Sequence, residues 1–155
     1  MEDQIQLGIL YAKEGNYREG FPLLKSAMEK FNGKKPEEIP PALLSYYGLC
    51  TALVHNDVKG GLEHCNAALT REFYQPDLYW NLGKVYLKAN RKGNAVNAFY
   101  KGLNLDDGHK GILGELKRLG IRKSPIIGFL SRDHFLNRVL GQIRYRAETK
   151  SSVKA

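Results

Sequence analysis

The chain has 155 residues, 43% of them hydrophobic, and a net charge of +8. That is enough for one domain with a sizeable core, and too apolar for disorder throughout. No apolar stretch nears the roughly 18 residues of a membrane span, and the acidic start Met1-Glu2-Asp3-Gln4 lacks the basic and apolar blocks of a secretory leader, so a cytoplasmic location is expected.

In chain order, apolar periodicity predicts helices over 2–14 and 17–31, joined by the turn Glu14-Gly15-Asn16. Pro22 falls early in the second, where it is expected to bend the axis slightly. Residues 35–40 (Lys35-Pro36-Glu37-Glu38-Ile39-Pro40) read as a longer exposed connection. Further helices are predicted over 41–55 and 58–71, then over 76–89 and 92–104, the last two joined across Asn90-Arg91-Lys92. Such short turns join antiparallel neighbours.

A motif recurs along these helices. Leu7-Gly8-Ile9-Leu10-Tyr11 returns as Tyr47-Gly48-Leu49-Cys50-Thr51 and as Leu82-Gly83-Lys84-Val85-Tyr86. A small residue follows each copy at a fixed interval (Gly20, Gly60, Ala95), and another comes seven later (Ala27, Ala67, Gly102). The steps from Gly8 to Gly48 and from Gly48 to Gly83 are 40 and 35 residues. Allowing the insertion at 35–40 and one extra residue near Phe73, the period is 34.

A glycine inside a helix costs about 1 kcal/mol relative to alanine. Small residues facing each other let two helices approach to about 8 Å. Large neighbours, expected to be Leu7, Tyr11, Leu82, Tyr86 and Phe99, then fill the surrounding space. Each contributes roughly 1.5–3 kcal/mol by burial, which outweighs the glycine cost.

The motif resembles the tetratricopeptide repeat, a 34-residue helix–turn–helix unit. The third copy is plainest, with Tyr79, Leu82, Gly83 and Tyr86 in its first helix and Ala95, Phe99 and Gly102 in its second. The first copy keeps Leu7, Gly8, Tyr11, Gly15 and Ala27. The second is weakest, with Thr51 at the tyrosine position, His55 at the turn glycine and His64 at the aromatic. Asn32, Glu72 and Asp107 stand where the family usually has proline. The resemblance implies an all-α fold, a right-handed superhelix of three hairpins over 1–34, 41–75 and 76–109.

A capping helix over 110–120 is expected to close the array, with Ile112, Leu113, Leu116 and Leu119 as its apolar stripe and Gly120 as its stop. Residues 121–155 then read as a linker (Lys123-Ser124-Pro125), an apolar stretch (126–130), a basic amphipathic helix and a frayed tail. In that helix Ser131 is the expected N-cap with Asp133 in the first turn. Leu136, Val139, Leu140 and Ile143 form a stripe flanked by Arg132, Arg138, Arg144 and Arg146.

The charge is lopsided. Residues 1–108 carry 13 Lys/Arg and 13 Asp/Glu, whereas residues 109–155 carry 11 Lys/Arg against Glu115, Asp133 and Glu148. Three readings of this basic end compete. It folds back on the repeats, it mediates self-association or partner docking through 129–146, or it meets nucleic acid or an acidic membrane surface.

No HExxH, GxGxxG or P-loop pattern occurs. Cys50 and Cys65 lack metal or redox spacing and read as buried thiols. His55, His64, His109 and His134 are scattered, and Ser131, Asp133 and His134 read as a helix start rather than a triad. Neither an enzyme nor a cofactor is expected.

In tetratricopeptide arrays the first helices line a concave groove that holds partners. Carried onto this sequence, the groove positions are Ile5, Gln6, Ile9 and Lys13. The second repeat adds Ser45, Tyr46, Leu49 and Leu53, and the third adds Asp77, Trp80, Asn81, Lys84 and Lys88. One branch of the family grips chaperone C-terminal carboxylates with Lys, Asn and Arg. Here Ile5, Ile9, Tyr46, Asp77 and Asn81 hold those positions, so that clamp is effectively absent. The expectation is a protein-interaction module that binds a peptide or helix with an apolar stripe, with Trp80 and Tyr46 as anchors. The competing expectation is that the chain's own C-terminal helix covers Trp80 and Ile9.

Overall fold

The computed structural model describes residues 2–121, and the chain divides between Glu115 and Leu116. The described residues form seven α-helices and no strand. These are α1 (Glu2–Lys13), α2 (Tyr17–Glu29), α3 (Pro41–His55), α4 (Val58–Leu69), α5 (Pro76–Lys88), α6 (Lys92–Leu103) and α7 (Lys110–Arg118). A single 3-10 turn, Pro36–Glu38, lies in the predicted connection.

Local chemistry sets the boundaries. Pro41 and Pro76 open α3 and α5 at positions where a missing N–H costs nothing. The hairpin turns reverse at left-handed residues, Gly15 (φ 87°), Asn56 (φ 60°) and Asn90 (φ 57°). After α1, the Gly15 N–H donates to Ala12 O (3.3 Å) and the Asn16 N–H to Tyr11 O (2.8 Å). Asn90 and Arg91 repeat the pattern onto Leu87 O (3.0 Å) and Tyr86 O (2.9 Å). At the second turn, the Asp57 side chain caps α4 by accepting the Gly60 N–H at 2.9 Å. Helix α2 runs on through Pro22.

Helices packed on their chain neighbours make up the first unit, Met1–Glu115. Each hairpin closes on itself, α2 packs on α3, α4 packs on α5, and α3 touches both α1 and α5. This pattern is compatible with a helical repeat. The core runs through Ile5, Leu24, Leu43, Leu49, Cys65, Leu78 and Val85.

The small-residue contacts hold these hairpins close. A Cβ on Gly20 would lie 2.8 Å from Gly8 O, and the ring of Phe99 occupies the space over Gly83. Repeat two corrects the expected pairing. Gly48 does not face Gly60. A Cβ on Gly48 would lie 2.8 Å from both Gly61 O and His64 Cβ, while one on Gly60 would meet only the Asp57 carboxylate. Cys65 and Ala68 are fully buried, in the places expected for His64 and Ala67.

The reason is the length of α3, which has 15 residues against 12 in α1 and 13 in α5. The left-handed turn residue is therefore Asn56 rather than His55. The extra residue sits inside this hairpin, not near Phe73. From Gly61 to Ala95, Cys65 to Phe99 and Ala68 to Gly102 the interval is 34 throughout.

Leu7 also departs from expectation. It is 43% exposed, as Leu10 is 51% exposed, because α1 is the first helix and only its other face meets α2 and α3. Of the predicted stripe on α7, Ile112 and Leu116 are buried and Leu113 is exposed. Gly120 (φ 74°) ends that helix as predicted. The linker at 123–125, the apolar stretch at 126–130, the basic helix after Ser131 and the proposed self-association segment 129–146 lie outside the described residues.

Candidate functional site

The predicted groove positions fall on α1, α3 and α5, and the structure brings their polar members together around the start of α5. Asp77, in the first turn of α5, pairs with Lys13 Nζ from α1 at 2.8 Å and meets His109 Nε2 at 2.9 Å. His109 Nδ1 accepts the Ile112 N–H at 3.1 Å, which caps α7 and leaves Nε2 as the proton-bearing nitrogen that donates to Asp77. Burial by itself would raise the Asp77 carboxyl. Hydrogen bonds and charge from Lys13 and His109 outweigh that and hold it below its ordinary value.

Beneath this ion pair lies Tyr46, 2% exposed, with the Lys13 ammonium 6.0 Å from its ring centre. Burial first, then the Asp77 charge, pushes its phenol well above the usual range. Asn81 is fully buried and donates through Nδ2 to Ser45 Oγ at 3.1 Å. The Ser45 carbonyl accepts the Cys65 thiol at 3.5 Å.

One turn further along α5, Lys84 is 6% exposed and stacks its Nζ 3.7 Å from the centre of the Trp80 ring. The same Nζ donates to Tyr17 Oη at 3.4 Å and lies 5.3 Å from that ring. No carboxylate forms an ion pair with it among the described residues. Burial pushes this amine down to about 8, against the charges of Glu115 and Asp77. The indole also meets the His109 ring at 5.6 Å and the Gly111 backbone, where a Cβ would lie 2.6 Å from Trp80 Cε2.

Among the described residues, Trp80 Nε1, Asn81 Oδ1 and the Tyr46 hydroxyl are buried and make no hydrogen bond. Ile5, Ile9, Ser45 and Leu49 are buried as well, so they form the floor of this face. Trp80, Asp77 and Leu53 are partly accessible, while Gln6, Lys13 and Lys88 are exposed.

Two contributors were not anticipated. Tyr17 opens a second helix, outside the first-helix set. His109 reads in the sequence as one of four scattered histidines. Their only sequence signals were proximity to a turn and to a helix start. Chemically, the cluster offers an aromatic surface, buried polar groups without hydrogen-bond partners and a buried cation with no carboxylate in ion-pair contact among the described residues. The thiols offer little: burial pushes Cys50 and Cys65 up to about 12, so both stay protonated at neutral pH. No protein-family model matches the chain, and the search of curated proteins gave no match.

Proposed function

We propose that the chain is a tetratricopeptide-type repeat, a right-handed superhelix of hairpins, serving as a non-catalytic interaction module of scaffold or adaptor type. Its partner is a peptide or helix with an apolar stripe, laid along the face made by α1, α3 and α5. The 34-residue intervals from the second hairpin to the third support the repeat. One observation carries the binding role. Trp80 is partly accessible, its Nε1 lacks an acceptor, and the Lys84 ammonium on its face is in ion-pair contact with no carboxylate among the described residues, all on successive turns of α5.

Burying polar groups without partners is costly, and a bound segment that supplied acceptors would recover part of that cost. Trp80 is the anchor, whereas Tyr46, also expected as one, is only 2% exposed and lies too deep to grip a partner. Affinity capture with the full chain, its Trp80→Ala variant and an exposed control, Lys59→Ala, tests this reading. The same protein partner should be retained by the control and lost from Trp80→Ala, with affinity that falls weakly as salt rises. Retention governed only by salt, with nucleic acid or acidic lipid in the captured fraction, would overturn it.

A further inference from the structure

A second cleft lies on the other side of α5. At about 100° per residue, Tyr79, Leu82 and Tyr86 face away from Asp77, Trp80, Lys84 and Lys88. The cleft, about 350 Å³, has Tyr79 and Tyr86 on its floor, Asn66 on one wall, Asn94 and Asn97 on the other, and Lys101 at one end. It exists because α4 and α6 both pack on α5 without packing closely on each other.

The equivalent place at the first junction is plugged with rings. Phe21 on α2 stacks on Tyr47 at 5.8 Å, and Tyr47 meets His64 on α4 at 5.2 Å. In the corrected register the residues matching Tyr47 and His64 are Leu82 and Ala98, and both line the cleft. Smaller side chains leave the space open.

We infer that this cleft binds a short, extended, acidic peptide segment, separately from the α1/α3/α5 face. Each asparagine offers a donor and an acceptor side by side, matching the paired N–H and C=O of an extended backbone. The three carboxamides make no hydrogen bond among the described residues, so they are available. Residues four apart on a helix, such as Asn97 and Lys101, are about 6 Å apart along the axis. An extended chain repeats every two residues at about 6.6 Å, a step that Asn97 and Lys101 approach, whereas Asn94 and Asn97 are about 4.5 Å apart along the axis. Among the described residues Lys101 is the only charged one lining the cleft, which selects an acidic side chain. The volume sits at the low end of pockets that hold discrete ligands, less than that of a single turn of a helix about 10 Å across.

A random seven-residue displayed library, panned on the full chain, supplies the probe. The enriched peptides are then measured by fluorescence anisotropy on the wild type and on Asn97→Ala, Lys101→Glu and Ala98→Phe. Lys88→Ala serves as the control on the opposite face. The expected result is enrichment of Asp- or Glu-bearing peptides whose affinity falls at least tenfold with Lys101→Glu and Asn97→Ala, vanishes with Ala98→Phe and is unchanged by Lys88→Ala. Ala98 is 4% exposed and its variant could fail to fold, whereas Asn97 and Lys101 are exposed and keep the test decisive. Enrichment of neutral peptides, indifference to Lys101→Glu, or binding lost only with Lys88→Ala would overturn the inference. That last result would leave the α1/α3/α5 reading standing alone.

Discussion

Lys84 holds its ammonium 3.7 Å from the centre of the Trp80 ring. This buried cation touches a π face and a phenol, while the carboxylates of Glu115 and Asp77 act on it only through their charge. A desolvated cation–π contact contributes about 2 kcal/mol, less than full compensation for burial, and the amine's fall to about 8 reflects the deficit. In the unfolded chain the same lysine titrates near 10.4. Between these values the unfolded state binds more protons, so this residue makes stability rise with pH. The thiols of Cys50 and Cys65, raised to about 12, act in the opposite direction above about pH 9. The wild type should therefore be compared with Lys84→Met by urea denaturation, in which the thiol effect cancels. The difference is expected to shift toward the wild type by on the order of 3 kcal/mol between pH 7 and pH 10. A difference constant across that range would contradict the buried amine.

The Gly48–Gly61 contact is backbone against backbone and cannot yield. Gly48→Ala and Gly61→Ala should each destabilise by about 1–3 kcal/mol, although alanine favours helix. Gly60→Ala should cost about 1 kcal/mol or less, since the Asp57 carboxylate it meets can rotate aside at the loss of its capping bond to the Gly60 N–H. Gly114→Ala, with nothing within 4 Å, should gain up to about 1 kcal/mol. Thermal denaturation of the four variants distinguishes Gly61 from Gly60 as the true partner.

The second repeat explains why its register was not legible. Its sequence doubles the informative positions: Gly60-Gly61, His64-Cys65 and Ala67-Ala68 each offer two candidates one residue apart. Small-residue spacing alone cannot choose between them. The choice is made by Asn56, whose left-handed conformation lets α3 run one residue longer before the turn. Elsewhere Pro41, Pro76, Gly15 and Gly120 marked helix ends openly, and the helix spans follow from them. In the site, Trp80, Asn81 and Lys84 came only from carrying the tetratricopeptide groove positions onto this sequence, and α5 puts them on one face. Tyr17 was not, since it reaches Lys84 across 67 residues of sequence. The exposure of Leu7 depends on what lies beside the first helix, which periodicity does not encode.

Asp77 joins three helices through Lys13 and His109. Because its carboxyl is held below the ordinary range, its contribution is present above about pH 4 and lost as pH falls through the folded value. Asp77→Asn should destabilise by about 1–2 kcal/mol at pH 7. The gap should narrow toward pH 2.5, measured by urea titration at each pH.

Both thiols should resist labelling. With Cys50 and Cys65 fully buried and protonated, a disulfide reagent at pH 8 should react only at the rate of unfolding, and denaturant should release two equivalents at once. Reaction within seconds in the native state would place one of them at the surface.

The partner-binding role of the α1/α3/α5 face is tested most directly by a photo-crosslinking amino acid placed at the exposed position Lys88, with a matched substitution at Lys59 on α4 as reference. After irradiation in the source cell, position 88 should yield a discrete protein adduct that disappears when Trp80→Ala is added, while position 59 yields none. Identical adducts from both positions, or none at 88, would contradict a partner seated against Trp80.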